Sequence, residues 1–239
     1  MPRLRIVGAG RAGRSLAHAL SGRGWTVDGL LGRGDDVSEA ASGVDLCVLG
    51  VPDASVPEVA SSIRPHPDAV VVHLSGALGL DVLSMHPRRG SLHPLVSLPS
   101  PAVGAAALTA GAWFAVSGDP LVRDVVADLG GRLVVVDDAQ RPAYHAAACI
   151  ASNHLVALLA QVARVAASAG VPLEAYLDLV RATVDNVAAL GPAAALTGPV
   201  SRRDWDTVAS HLRALPPSEV PLYLAMASEA AALAGAACN

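Results

Sequence analysis

Up to about residue 140 the chain alternates short apolar runs with amphipathic stretches. Leu4-Arg5-Ile6-Val7 predicts a strand. From Arg11 to Arg23, Leu16 and Leu20 fall on one helical face, and Gly24 follows as a stop signal. Further strands are expected over Trp25 to Leu31, Val44 to Leu49, Ala69 to Leu74, Trp113 to Val116 and Leu133 to Val136, with a helix over Pro57 to Ile63. Strands alternating with helices imply right-handed crossovers and a mainly parallel sheet.

The texture changes near Asp137-Asp138. Beyond it only helical patterns follow: Pro142 to Ala169, Leu173 to Leu190, Arg203 to Leu215 and Pro221 to about Ala236. Pro142 suits a first-turn position, Gly170 a stop, and Ser201 or Asp204 a cap for the third helix. The expected architecture is α/β. A Rossmann-type doubly wound domain spans residues 1–139 and an all-helical domain 140–239.

Composition agrees with a packed fold. Apolar residues make up 52% of the 239 and charged residues 16%. The net charge of −4 and the lack of a basic run argue against a nucleic-acid surface. All 17 basic residues are Arg, so no Lys acid or Schiff base is available. Cys47, Cys149 and Cys238 are isolated, which excludes a metal pair and a disulfide framework. No apolar leader precedes the glycines, and polar residues interrupt the apolar stretch 143–160. The expectation is a soluble, cytoplasmic protein with no membrane span and no metal.

The loop Gly8-Ala9-Gly10-Arg11-Ala12-Gly13 lies between a strand and an amphipathic helix, the context a dinucleotide site requires. Gly8 permits the tight turn, Gly10 admits a pyrophosphate to the backbone, and Gly13 lets helix and strand pack closely. The helix N-terminus then offers free N–H groups to the phosphates. An NAD site places a carboxylate at the end of the second strand; here the strand ends Leu30-Leu31-Gly32-Arg33. Arg33 matches a 2′-phosphate by charge and fork geometry, which points to NADP(H). Asp28 lies too early, and Asp35 and Asp36 too late.

Ligands in open α/β sheets lie beyond the carboxyl ends of the strands. Val51-Pro52-Asp53 and His73-Leu74-Ser75-Gly76 close two of them, and His93-Pro94 follows. His93 has the chemistry to polarise a carbonyl or exchange a proton, and Ser75 to orient it or the substrate. His73 is expected to be structural. His145, Cys149 and Asn153 are spaced to share one helical face, as a lined cavity or as interhelical hydrogen bonding. Arg202 and Arg203 occupy a turn-rich island, as a carboxylate anchor or a capped connection.

Those segments, with Tyr144-His145-Ala146-Ala147 and Leu196-Thr197-Gly198-Pro199, resemble bacterial Rossmann-like proteins with an uncharacterised C-terminal helical domain. That family is related to 6-phosphogluconate-dehydrogenase-like, ketopantoate reductase-like and F420-dependent NADP reductase-like proteins. The resemblance implies reduction of a small carbonyl or imine acid, with ketopantoate the best single substrate guess, and a homodimer formed through the helical domain. It gives His93 and His145 as proton donors and Asn153 and Ser75 as orienting groups. The spacing of Ser75 and His93 is similar to that in prephenate dehydrogenases. One departure matters: Cys149 stands where related enzymes carry a Lys four residues before the Asn. A non-catalytic NADP(H)-binding protein whose helical half docks a partner is the alternative.

Overall fold

In the computed structural model, described here for residues 1–236, the chain forms two compact units, Met1–Ser152 and Asn153–Asn239. Cys238 lies outside the described residues.

The first unit runs β1 (Arg3–Val7), α1 (Arg11–Ser21), β2 (Thr26–Leu31), β3 (Leu46–Leu49), α2 (Val56–Ser62), β4 (Val70–His73), β5 (Arg89–Pro94), α3 (Pro101–Leu108), β6 (Trp113–Gly118), α4 (Leu121–Asp128), β7 (Arg132–Val135) and α5 (Arg141–Cys149). The seven strands form one sheet in the order β2-β1-β3-β4-β5-β6-β7. Every neighbouring pair is parallel except β5 with β6. This is the expected Rossmann-type sheet, and its strand order reverses between β1 and β3, where such sheets bind ligands.

Central parallel strands are buried on both faces and read as continuous apolar runs. Their side chains alternate between two cores. Leu4, Ile6, Leu46, Val48, Val70 and Val72 pack with residues of α1, α3 and α4. Val7, Cys47, Leu49 and Val71 face the opposite side, against α2 and Ala40 to Val44. Burial pushes the Cys47 thiol up to about 12, so it is inert.

Parts of this unit depart from expectation. β5, α3 and α4 lie in stretches where the pattern predicts no element. The helix expected over Pro142 to Ala169 starts at Arg141 and is interrupted by one π-helical turn, Ile150–His154. The two compact units part at that turn, and α5 lies in the first, where its Arg141 and Tyr144 side chains bond to β5.

The second unit holds α6 (Leu155–Ser168), α7 (Glu174–Leu190), α8 (Pro192–Ala195), α9 (Trp205–Ala214) and α10 (Val220–Ala236). Asp204 caps α9, its carboxylate accepting from the Thr207 backbone N–H (3.1 Å) and hydroxyl (2.8 Å). Pro199 O accepts from the N–H groups of Arg202 and Asp204, so the Arg202-Arg203 island is a capped connection. Glu219 takes a two-pronged ion pair from Arg164 at 2.6 and 3.0 Å. The apolar core of this unit is sparse: among its described residues only Ala166 and Val208 are buried hydrophobics.

The helical stretch Asp138–Ser168 is long and apolar enough to cross a membrane by length and composition alone. Its first part, however, carries a buried Arg141 hydrogen-bonded to two strands of the sheet.

Candidate functional site

The glycine loop has the geometry its sequence requires. Gly8 has φ +110°, and a β-carbon there would lie 2.5 Å from the carbonyl of Gly50 on the way out of β3. Its N–H donates to Leu31 O of β2 at 2.8 Å. A β-carbon on Gly13 would collide with the Gly8 carbonyl, so α1 packs directly on the turn. Around Gly10, by contrast, nothing lies within 4 Å of where a β-carbon would sit. Gly10 caps α1 without a side-chain acceptor, and no acid occupies the first turn. The first N–H groups of α1 therefore stand ready for an anion.

At the end of β2, Asp28 is paired with Arg3 at 2.7 Å. The Asp35 carboxylate folds back to accept the Gly32 N–H at 2.7 Å. Arg33 is exposed at the tip. The charge free to meet a ligand at this tip is thus the cation.

A groove of about 590 Å³ opens beside the loop. Gly10, Arg11 and Ala12 line it together with Val51, Pro52, Leu74, His93 and Pro94. Arg11 is exposed on it. These residues sit at the carboxyl ends of β1, β3, β4 and β5, as expected for an open α/β sheet.

Ser75 and Asp53, by contrast, are spent on each other. The Ser75 hydroxyl donates to Asp53 at 2.6 Å and accepts from the N–H groups of Ala77 and Leu78, both at 3.1 Å. These bonds tie the β3 and β4 exits together. His73 is buried, its Nε2 bonded to Gly79 O at 3.2 Å, and burial lowers its pKa. Its Nδ1 is buried without a partner.

His93 closes β5 with its Nδ1 sharing a 2.6 Å hydrogen bond with the Tyr144 hydroxyl of α5. The His145 ring stands edge-on to it, with centroids 5.9 Å apart. Burial, then the charges of His145 and Arg141, push His93 down to about 4, against an opposing pull from Asp53. The imidazole is therefore neutral at pH 7. Burial raises the Tyr144 phenol to about 12, so it keeps its proton. Both rings press on Gly76, where a β-carbon would lie 2.6 Å from His145 Nδ1 and 2.9 Å from Nε2 of His93.

His145 Nε2 lies 3.6 Å from the Cys149 sulfur, and its Nδ1 is buried without a partner. The helical spacing thus brings His145 and Cys149 together. Asn153 falls within the π turn in the second unit and is exposed. Sequence reasoning assigned no role to Tyr144 and overlooked Arg141. A signal existed for the latter: an Arg at the first turn of an Ala-rich helix sits at the wrong end of the dipole for a solvated cation.

Residues 33–99 match a family model described as a Rossmann-like domain, and residues 113–230 match the domain of unknown function DUF2520. No curated protein matches the chain. The structure is similar to that of a provisionally named NADP oxidoreductase from Bacteroides fragilis, at 21% identity and a TM-score of 0.81, covering 96% of this chain and 98% of that one. It is similar to a Thermotoga maritima protein of unstated function, at 25% identity and TM-score 0.77, covering 99% and 100%. It is also similar to a reductive aminase from Aspergillus terreus in complex with NADPH4, cyclohexanone and allyl amine, at 16% identity and TM-score 0.71, covering 96% and 93%.

Proposed function

We propose that this chain, in which a Rossmann-like domain precedes a DUF2520 domain, is an NADP(H)-dependent oxidoreductase that reduces a small carbonyl or imine compound. One observation carries the proposal: the glycine loop and His93 line the same groove. A cofactor held by the first is brought beside the second.

In this assignment Gly10, Arg11 and Ala12, with the first N–H groups of α1, hold the pyrophosphate. Arg33 takes the 2′-phosphate, and Val51 and Pro52 flank the cofactor. When bound, the nicotinamide supplies hydride. His93 is neutral, so it serves as a hydrogen-bond donor to the substrate oxygen or nitrogen. If Tyr144 donates to Nδ1, the ring proton is on Nε2. His145 is the second candidate donor. The proton that completes the reduction is already on a protonated imine, or reaches a carbonyl product from solvent, so no Lys is needed for this scheme.

The similar structures named support a reductase and favour a C=N substrate; they give ketopantoate no support. Absorbance of NADPH should be followed against cyclic imines, ketone–amine pairs and keto acids, ketopantoate included, with calorimetry of NADPH and NADH alongside. Oxidation of NADPH by at least one substrate, lost in His93→Ala, is expected. Failure to bind either cofactor would sink the proposal. Tight binding with no turnover on a broad panel would favour a non-catalytic NADP(H) protein.

We further propose a soluble, cytoplasmic homodimer formed through the second unit. No residue of α7 is buried, and Leu179, Val184, Val187 and Leu190 are exposed on it. Leu222, Leu224 and Met226 of α10 are exposed as well. Apolar surface of this extent marks an association site.

A further inference from the structure

Arg141 opens α5, and its side chain is fully buried. A cation gains nothing from the positive end of a helix, and a guanidinium taken from water needs strong compensation. Its compensation here comes mostly from neutral oxygens. Nη2 donates to the Ser91 hydroxyl at 2.7 Å and the Ser117 hydroxyl at 2.8 Å, and Nη1 to Ser75 O at 3.5 Å. The one carboxylate it meets, Asp138 at 3.1 Å, is 47% exposed and also accepts the Leu80 N–H. A strut between strands requires no charge, so the charge needs its own explanation.

The position of Arg141 supplies one. Ser91 and His93 are two apart on β5 and share a face. Arg141 and Tyr144 are three apart on α5 and share another. The pairs meet as two rungs, Arg141 with Ser91 and Tyr144 with His93. Ser91 also sits directly opposite Ser117 of β6 and beside His73 of β4. Arg141 therefore grips the sheet one rung behind His93.

The titratable and charged groups acting on His93 come from three elements. Arg141, Tyr144 and His145 stand on α5, His73 on β4, and Asp53 beyond β3. Asp53 is the one anion among them, and it is exposed and engaged by Ser75. Arg141 is the one buried Arg among the described residues.

We propose that Arg141 is a positioning residue for His93: by gripping Ser91 and Ser117 one rung behind the ring it pins β5 beneath His93, and it adds a buried positive charge to that side of the ring. The role in catalysis rests on the assignment of His93 made above; the electrostatic relation does not.

The test is a ring-resonance NMR titration of the full chain, without ligand, from about pH 3.5 to 8. The His93 signal is identified by its loss in His93→Gln. In the wild type His93 should stay neutral above about pH 5. Arg141→Met should raise its midpoint by at least about half a pH unit. Arg141→Lys, which keeps the charge and loses the fork, should leave the midpoint low. Should the Met variant fail to fold by circular dichroism, Arg141→Gln retains hydrogen bonding without charge and takes its place. Wild-type titration near the ordinary histidine value overturns the proposal outright. So does a neutral variant that moves the midpoint no further than Arg141→Lys does. No substrate is involved, so the titration decides the matter even for a protein without turnover. A shifted His93 in an inactive protein would count against the reductase alone.

Discussion

At the scale of single residues, the glycines of the first loop do different work, and substitution separates them. Gly8 combines a left-handed backbone with a 2.5 Å approach to Gly50. Strain and overpacking together should cost Gly8→Ala about 3 kcal/mol, seen as a large drop in melting temperature. Gly10→Ala meets no protein atom, so its melting temperature should stay close to wild type. The added methyl stands where the pyrophosphate approaches, and NADPH affinity should fall about 10-fold or more by calorimetry. Arg33→Ala should weaken NADPH about 10-fold and leave NADH nearly unchanged, since the partner proposed for it is the 2′-phosphate. Equal losses for both cofactors would remove Arg33 from the site. The geometry of the glycine turn was legible because the motif fixes its surroundings locally. Arg141 was not, because an Arg among alanines looks solvated until Ser91 and Ser117 are brought to it from strands far away in sequence.

Charge state at His93 also has a consequence for pH. Its folded pKa, about 4, lies below the ordinary 6.5. Between those values the unfolded chain binds a proton that the native chain refuses. Stability should therefore fall as the pH drops from 6.5 toward 4, and be insensitive to this group above 6.5. His73 and His86, whose values are also lowered by burial, add to the same slope. Melting temperatures recorded across that window should show a shallower decline in His93→Gln than in the wild type.

At the scale of elements, the strand that carries His93 is the one least visible in the sequence. β5 reads Arg89-Gly-Ser-Leu-His-Pro94, with one aliphatic side chain, and an Arg, a Gly and a Pro that disfavour central strands. It forms because β4 pairs with it on one side and β6 on the other, while Arg141 satisfies Ser91. Long-range pairing overrode propensity, as it did in a milder way for α3, whose uniformly apolar sequence shows no helical face. The parallel strands β3 and β4 were legible since burial on both faces leaves them almost continuously apolar. The helix α5 was expected, but its membership in the first unit was not, as its contacts come from side chains rather than from a change of texture. If the α5–β5 rungs set the His93 ring, Tyr144→Phe should lower kcat about 10-fold or more. Cofactor affinity should change little, because the glycine loop lies elsewhere in the groove. A matching loss of NADPH binding would show that Tyr144 supports the groove as a whole.

At the scale of the whole molecule, the two units differ in what holds them. The first buries long rows of side chains on both faces of a seven-stranded sheet. The second relies on caps and ion pairs such as Arg164 with Glu219, around only two buried apolar residues among those described. Light scattering coupled to size exclusion should give about twice the 24.1 kDa chain mass for the wild type. Placing a charge in the exposed stripe, as in Val187→Asp, should yield monomer or insoluble protein. A wild-type monomer at micromolar concentration would refute the dimer.

The sparse core of the helical unit then bears on the law of mass action. A unit whose apolar faces are covered by a second copy melts in a second-order process, so its midpoint is not a constant of the sequence. Each tenfold dilution removes about 1.4 kcal/mol from the assembled state, while the sheet-bearing unit, which buries its own apolar side chains, stays indifferent to concentration.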